Sequence, residues 1–404
     1  MRVADRSPTC RSRRGWTRPL RHALALAMLL LPVAAAMPAR AALFGPDGLD
    51  PAFCRTPSVR QTVVYVDDMM MVEGQIDWAR KLAVKLRATL SPGERVTVVR
   101  LSPANGQSSE IWSACWPAYT AAQQADIAGQ SFLFSRNPLS GIGDQQKFFL
   151  GGMGAALTTI YQQAKRPADA VRIAAATAPH KDIIRALASD EGRFAASRVT
   201  VRAIIYSDMA ENSDLGAVIR PPGAVPHADQ GLGGLGERLG TWLRRSVFYA
   251  YGVGADIDGD RGFGEQARAF WTQALHGMAA TLGGMGADLN VPNLLPVSAY
   301  DVPVTLVMDN QSLDGRLSLL TDQDGALVDS WLGISRLGST GLDGSFRCEP
   351  GGACRLDATT TSGLATNAAS EHVTLQGPAQ GPLNGELGVR AQGMLFKLRS
   401  DPRS

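Results

Sequence analysis

Between Arg60 and about Gly283 the apolar positions switch repeatedly between two periods. "TVVYV" (Thr62 to Val66) is an unbroken β-branched run, the mark of a strand covered on both faces. "QIDWARKLAVKLRATL" then sets Ile76, Ala79, Leu82, Ala83, Leu86 and Leu90 at helical spacing, and Pro92 with Gly93 stops the helix. "RVTVVRL" (Arg95 to Leu101) is a second strand, "ANGQ" a turn, and "SSEIWSACW" a returning edge strand. "QQKFFLGGMGAALTTIYQQA" and "KDIIRALAS" read as helices. "RVTVRAIIYSD" (Arg198 to Asp208) is a strand ending in an acid. "ERLGTWLRR" is a helix, "SVFYAYGVG" (Ser246 to Gly254) a strand, and "FGEQARAFWTQALHGMAATLG" a long final helix. This alternation predicts an α/β fold, a doubly wound and mostly parallel sheet with helices on both faces. Such sheets bind ligands at the carboxyl ends of their strands, here "DDMMM", "SDMAEN" and "GVGADIDGD".

The helical period disappears after residue 288. Residues 289–301, "LNVPNLLPVSAYD", read as a linker, and residues 302–404 as a small all-β domain following the α/β domain of residues 55–288. Its runs are "VPVTLVMD", "GRLSLLTD", "LVDSWLGISRL", "GSFRCE", "CRLDATTT", "EHVTLQG", "GELGVRA" and "GMLFKLRS". Leu317 and Leu319 alternate with polar residues, as do Met394, Phe396 and Leu398, so a sandwich or barrel is expected. "LDG" or "LNG" recurs at Leu313, Leu342 and Leu383 and reads as a repeated hairpin turn.

Composition changes this picture at the start of the chain. A basic stretch precedes the apolar "HALALAMLLLPVAAA" and a small-residue "ARA" motif, the order of a secretory signal peptide over residues 1–41. "SRRGW" partly matches a twin-arginine signal, but Arg18 and Arg21 intervene, which favours general export. A cleaved leader predicts a soluble periplasmic or secreted protein with no transmembrane segment in the mature chain. Eight Arg and one Asp give residues 1–41 a charge of +7, so the +3 of the 404-residue chain leaves −4 for the remainder. Nothing in that balance favours nucleic acid as a partner. Cys10 falls in the leader, and Cys54, Cys115, Cys348 and Cys354 form an even set that suggests two disulfides. Pairing Cys54 with Cys115 and Cys348 with Cys354 respects the domain boundary; two other pairings and a zinc site are the alternatives.

The order of elements up to residue 283, with "IIYSD" closing one strand and "YAYGVG" the next, resembles a von Willebrand factor A-like (VWA-like) domain, itself a Rossmann-like architecture. The resemblance implies a metal-ion-dependent adhesion site of pattern D-x-S-x-S, with a Thr and an Asp from other loops. Set on this chain, Asp67 takes the first acid, Met69 and Met71 the two serines, and Asp208 the last acid. The Thr loop, "GGTNxxxAL" in the family, is set on "GGMGAAL", which puts Met153 at the threonine. Thioethers are poor ligands for Mg²⁺ or Ca²⁺, so the adhesion site is expected to be degenerate and the protein to hold no ordinary cofactor.

These residues define a strand-end binding face of Asp67, Asp68, Met69, Met71, Met153, Asp208, Met209 and Asn212. The expected function is an exported, non-enzymatic module that binds another envelope protein. One alternative is a metal-dependent hydrolase built on Asp67, Asp68 and Asp208. It lacks a histidine cluster, since His180, His227, His276 and His372 are isolated, and no G-x-S-x-G motif is present. A second is soft-metal binding, with copper held by the methionines. "DIDGD" offers Asp256, Asp258 and Asp260 at the first positions of a calcium loop, but Gly262 comes one residue late and Ala267 replaces the closing Glu. "GLGGLG" (Gly231 to Gly236) satisfies a nucleotide fingerprint but follows no strand; it reads as a loop entering a helix, part of a mobile flap over Leu215 to Leu235.

Overall fold

The computed structural model describes residues 48–130, 137–177, 179–218, 231–253, 261–308, 311–349, 351–364, 370–389 and 394–401. The expected leader, Asp256, Asp258 and Asp260, and the middle of the expected flap lie outside these residues. In chain order the α/β part comprises β1 (Arg60–Asp67), α1 (Asp77–Thr89), β2 (Arg95–Ser102), β3 (Gln107–Cys115), α2 (Ala121–Ala128), α3 (Ile142–Ala164), α4 (Ala168–Ala176), α5 (Ile183–Ala188) and α6 (Glu191–Ala196). It continues through β4 (Thr200–Tyr206), a small hairpin β5 (Asn212–Ser213) and β6 (Gly216–Ala217), α7 (Leu235–Leu239), β7 (Ser246–Tyr251), α8 (Arg261–Gly277) and β8 (Thr281–Gly286).

The main sheet runs in the order β3-β2-β1-β4-β7-β8, parallel throughout except for the β3 edge. Counted within the sheet, that is the doubly wound order 3-2-1-4-5-6, in keeping with the expected mostly parallel sheet. Alternation along β1 divides two cores. Val63 and Tyr65 pack with α5, α6 and α8, while Val64 and Val66 pack with α1 and α3. On α1 the buried positions are Trp78, Leu82, Leu86 and Thr89. Trp78 stacks on Tyr206 at 4.6 Å, and Ile76, expected in the stripe, is 51% exposed.

Three expected helices are shorter than their patterns. "KDIIRALAS" begins as helix only at Ile183, because Asp182 caps the Arg185 N–H. "ERLGTWLRR" is helical to Leu239, where Gly240 turns left-handed at φ 63° and ends it. The final helix stops at Gly277, and Thr281–Gly286 is a sixth strand instead. Its glycines admit the Tyr249 ring, since a Cβ on Gly283 would lie 2.7 Å from the Tyr249 Cζ. "GLGGLG" is not a loop: Leu232–Gly234 form a 3-10 turn that runs directly into α7. A Cβ on Gly236 would meet Trp242 at 2.6 Å, so this glycine serves close packing. At the described ends of the expected flap, Leu215, Val218, Leu232 and Leu235 are buried, which anchors both ends in the core.

The eight apolar runs of the second part become eight strands: β9 (Ser298–Met308), β10 (Gln311–Thr321), β11 (Ser330–Ile334), β12 (Gly338–Cys348), β13 (Ala353–Thr360), β14 (His372–Pro378), β15 (Asn384–Val389) and β16 (Met394–Ser400). β9 therefore starts within the segment read as linker. Each strand pairs antiparallel with the next, and β16 pairs with β9, which closes an up-and-down barrel. Aliphatic side chains such as Leu306, Leu317, Leu332, Leu356, Val373 and Leu387 fill its interior. The "LDG" and "LNG" triplets are not turns. Gly315 and Gly344 lie inside strands and Gly385 near the start of one, each where a Cβ would collide with a neighbouring strand, for Gly385 with the Thr374 carbonyl oxygen. Gly385→Ala is accordingly expected to destabilise the chain by about 1–3 kcal/mol, measured as a shift in urea midpoint. Both expected disulfides form, Cys54–Cys115 and Cys348–Cys354. Among the described residues no helix is long and apolar enough to cross a membrane.

The barrel docks on the amino ends of the sheet strands. Trp331 donates to Thr200 Oγ1 at 3.2 Å, Ser318 pairs with the same hydroxyl at 3.1 Å, and Ser339 meets Thr281 at 3.0 Å. Asp329, in the turn before β11, accepts from Arg60 and from the Tyr249 hydroxyl. The carboxyl ends of the strands lie at the opposite edge of the sheet.

Candidate functional site

Asp67 ends β1 and is 0% exposed. One of its oxygens, Oδ1, caps the following turn by accepting the Met69 N–H at 2.9 Å. The other, Oδ2, accepts the Ser207 hydroxyl at 2.7 Å, and Ser207 Oγ in turn accepts the Met209 N–H at 3.0 Å. Ser207 and Asp208 directly follow β4, the strand beside β1. The Asp208 carboxylate accepts the Ala210 N–H at 3.0 Å. The sheet thus brings together the two acids that the sequence placed at neighbouring strand ends.

Between them sits a lysine. Lys181 Nζ lies 2.6 Å from Asp67 Oδ2 and 2.5 Å from Asp208 Oδ1, and its side chain is 6% exposed. Its backbone is fixed as well: the Lys181 N–H donates to the Asn212 carbonyl at 3.1 Å, and the Asn212 N–H returns a bond to Lys181 at 2.7 Å. Burial opposes the charge on Lys181, yet Asp208 and Asp67 together hold its ammonium above the ordinary lysine range. Burial, reinforced by the charge of Asp208, raises Asp67 above the usual carboxylate range, with Lys181 and Ser207 acting against it. Two acids compete here for one close cation.

A divalent ion does not fit this donor set. The point facing both carboxylates is filled by an ammonium, and Asp67 already accepts from Met69, Ser207 and Lys181. The methionines give no substitute. Met71 and Met153 are buried in the core under α1 and α3, and Met209 in the core on the other side of the sheet. The binding face expected of Met71, Met153 and Met209 is therefore corrected: packing draws these side chains inward. Met209 is thereby separated from Met71 and Met153, which share one core. Met153 also lies within α3, so "GGMGAAL" is no loop.

Met69 is half-buried, and its carbonyl accepts from Arg166 at 2.7 Å. Asp68 is engaged from the side by Arg100 at 2.9 Å and Ser102 at 2.7 Å. Asn212 contributes through its backbone to Lys181 and through its amide to the Pro179 carbonyl at 3.2 Å. Glu211, missed in the sequence, is buried and accepts the Ile183 and Ile184 N–H groups at 2.8 and 3.2 Å, with Ser213 at 2.5 Å. Burial pushes its carboxyl up to about 8 despite these donors.

Lys181 was legible in one way. Set on "PHKDIIRAL" (Pro179 to Leu187) without a gap, the family pattern "GGTNxxxAL" keeps only Ala186-Leu187 and places Lys181 at the threonine. The more obvious "GG" of α3 drew the pattern away from it.

Comparison with protein-family models and with curated proteins returns no match. Among solved structures, the chain is similar to the ArnB paralog VWA2 from Sulfolobus acidocaldarius, at TM-score 0.30 and 9% identity over 80% of this chain and 65% of that one. It is also similar to the human COPII-coat protein Sec24c, at TM-score 0.26 and 7% identity over 86% of this chain and 44% of that one. The chain thus spans under two thirds of the length of either. Likeness this distant says nothing of function, and the fold stands on the sheet order and barrel closure.

Proposed function

We propose that the chain is an exported, non-enzymatic binding module that engages another envelope protein through the strand-end face of its α/β domain. The observation that supports this reading is the seating of Lys181 between Asp67 and Asp208. Hydrolysis at this face would need a metal-bound or base-activated water. The two acids instead neutralise a lysine. His276 and His372 are engaged elsewhere, with Ser339 and Asp357. Two exposed apolar side chains stand on the elements that follow this platform, Ile76 at the entry to α1 (51%) and Ile173 on α4 (62%).

These elements are tied to the site. The Glu73 N–H bonds the Arg166 carbonyl at 2.9 Å, and the Arg166 N–H bonds Met71 at 3.0 Å, so the segments leading to α1 and α4 meet above β1. The test is cross-linking of the full chain in envelope extract, comparing wild type with Ile76→Asp/Ile173→Asp. The double variant is expected to lose the wild-type adduct, and chelator to leave that adduct unchanged. Identical adducts from both chains would place the binding elsewhere.

A further inference from the structure

We infer that Lys181 is the resident cation of the strand-end site: its ammonium replaces a divalent ion, ties the ends of β1 and β4 together, and leaves no coordination position for a partner's carboxylate.

The inference shares the Lys181 geometry with the reading above but needs no partner, so the binding role can fail while it stands. Asp67 and Asp208 leave adjacent parallel strands and turn one oxygen each toward a single point. Two carboxylates this close, one of them fully buried, require positive charge between them. The chain supplies it from a third segment, the entry to α5. That segment is held in place independently of the ammonium. Asp182 caps α5, Glu211 accepts two further N–H groups of its first turn, and the Lys181 backbone pairs with Asn212. A lysine so anchored has already lost most of the freedom that makes exposed ion pairs weak.

A tethered cation differs from a bound one in two ways. Its occupancy does not depend on ion concentration, so chelators cannot empty the site. Its charge is +1, so the Lys181, Asp67 and Asp208 groups sum to −1, and an ammonium offers hydrogen bonds but no Lewis acidity. The adhesion chemistry implied by the fold, a partner acid completing a metal's coordination, is therefore closed off.

Removing the tether should expose the demand for an ion. Lys181→Thr shortens the side chain and leaves room, whereas Lys181→Met keeps its length without its charge. The readouts are Mn²⁺ binding by electron paramagnetic resonance and Tm in Mn²⁺ against chelator. Wild type is expected to bind no Mn²⁺ and to show the same Tm in both. Lys181→Thr is expected to melt below wild type in chelator and to rise by about 5 °C at a hundredfold excess of Mn²⁺ over its Kd. Adding Asp67→Asn should abolish that rise, and Lys181→Met should be destabilised without rescue. The inference is overturned by Mn²⁺ binding to wild type that Asp67→Asn removes, or by a Lys181→Met chain as stable as wild type. A Lys181→Thr chain that takes up no Mn²⁺, folded or not, also overturns it.

Discussion

Glu94→Ala is expected to lower the unfolding free energy by about 5 kcal/mol, the upper end of the cost of breaking a buried ion pair. Glu94 is fully buried and is the acceptor for most of its surroundings. Arg60 grips it with two bonds of 3.0 Å, Arg202 reaches it at 3.2 Å, Thr62 at 2.5 Å and the Ser91 N–H at 2.8 Å. Asp329 of the barrel is the second acid of this network, so the two arginines and two acids balance. Without Glu94, two buried guanidinium groups would share Asp329 alone. Arg202 is already pulled down to about 10 by burial and by the neighbouring charge of Arg60. Because Asp329 and Trp331 belong to the barrel, the loss should also loosen its seat on the sheet. Urea unfolding followed by circular dichroism measures the first effect, and separate transitions for the two parts would reveal the second. A variant within about 1 kcal/mol of wild type would show that the network contributes little.

That network was written into the sequence in a form that alternation alone does not decode. Thr62 and Arg202 occupy inward positions of runs made mostly of Val, Ile, Ala and Tyr, and Arg60 opens β1. A charge inside such a run has to be partnered, but its partners, Glu94 and Asp329, come from a loop and from another domain. The same division between local and distant information runs through the rest of the fold. All eight barrel strands were visible, because each carries its own apolar run facing one core. Closure was not, because the β16 to β9 register joins residues far apart in the chain. β8 was missed because "TLGGMG" has almost no β-branched residues, and its place as a strand comes from the Tyr249 ring that its glycines admit. At the site, Asp67 and Asp208 could be read because acids at strand ends are unusual. The buried methionines could not, since Met suits a core and a rim equally well. For Lys181 the sequence offered only the closing Ala186-Leu187 of the family pattern; that its segment returns beside Asn212 is a three-dimensional fact.

Glu211→Gln tests the other end of that segment, and the expected effect is a gain. The folded-state carboxyl of Glu211 titrates near 8, far above an ordinary glutamate at about 4.3, because it is buried. Its folded value is raised, so the folded chain binds a proton that the unfolded chain has released. Stability from this group is therefore fully present below about pH 4 and is lost as pH rises through the window to about 8. A displacement of that size corresponds to a loss on the order of 5 kcal/mol across the window. Glutamine holds the neutral form at every pH. Its oxygen can accept the Ile183 and Ile184 N–H groups, and its amide can meet the Ser213 hydroxyl. Glu211→Gln should thus match wild type near pH ~4, exceed it by several kcal/mol near pH ~9, and flatten the slope between. Glu211→Ala, which leaves those N–H groups without their acceptor, should be less stable at both ends. Since Glu211 adjoins Asn212, the residue paired with Lys181, an ionised Glu211 puts its unfavourable charge in the same loop that seats the resident ammonium. Urea midpoints of the three chains at several pH values decide the matter. Wild-type and Glu211→Gln curves that stay parallel from pH ~5 to ~9 would mean that Glu211 does not carry a proton in the folded state.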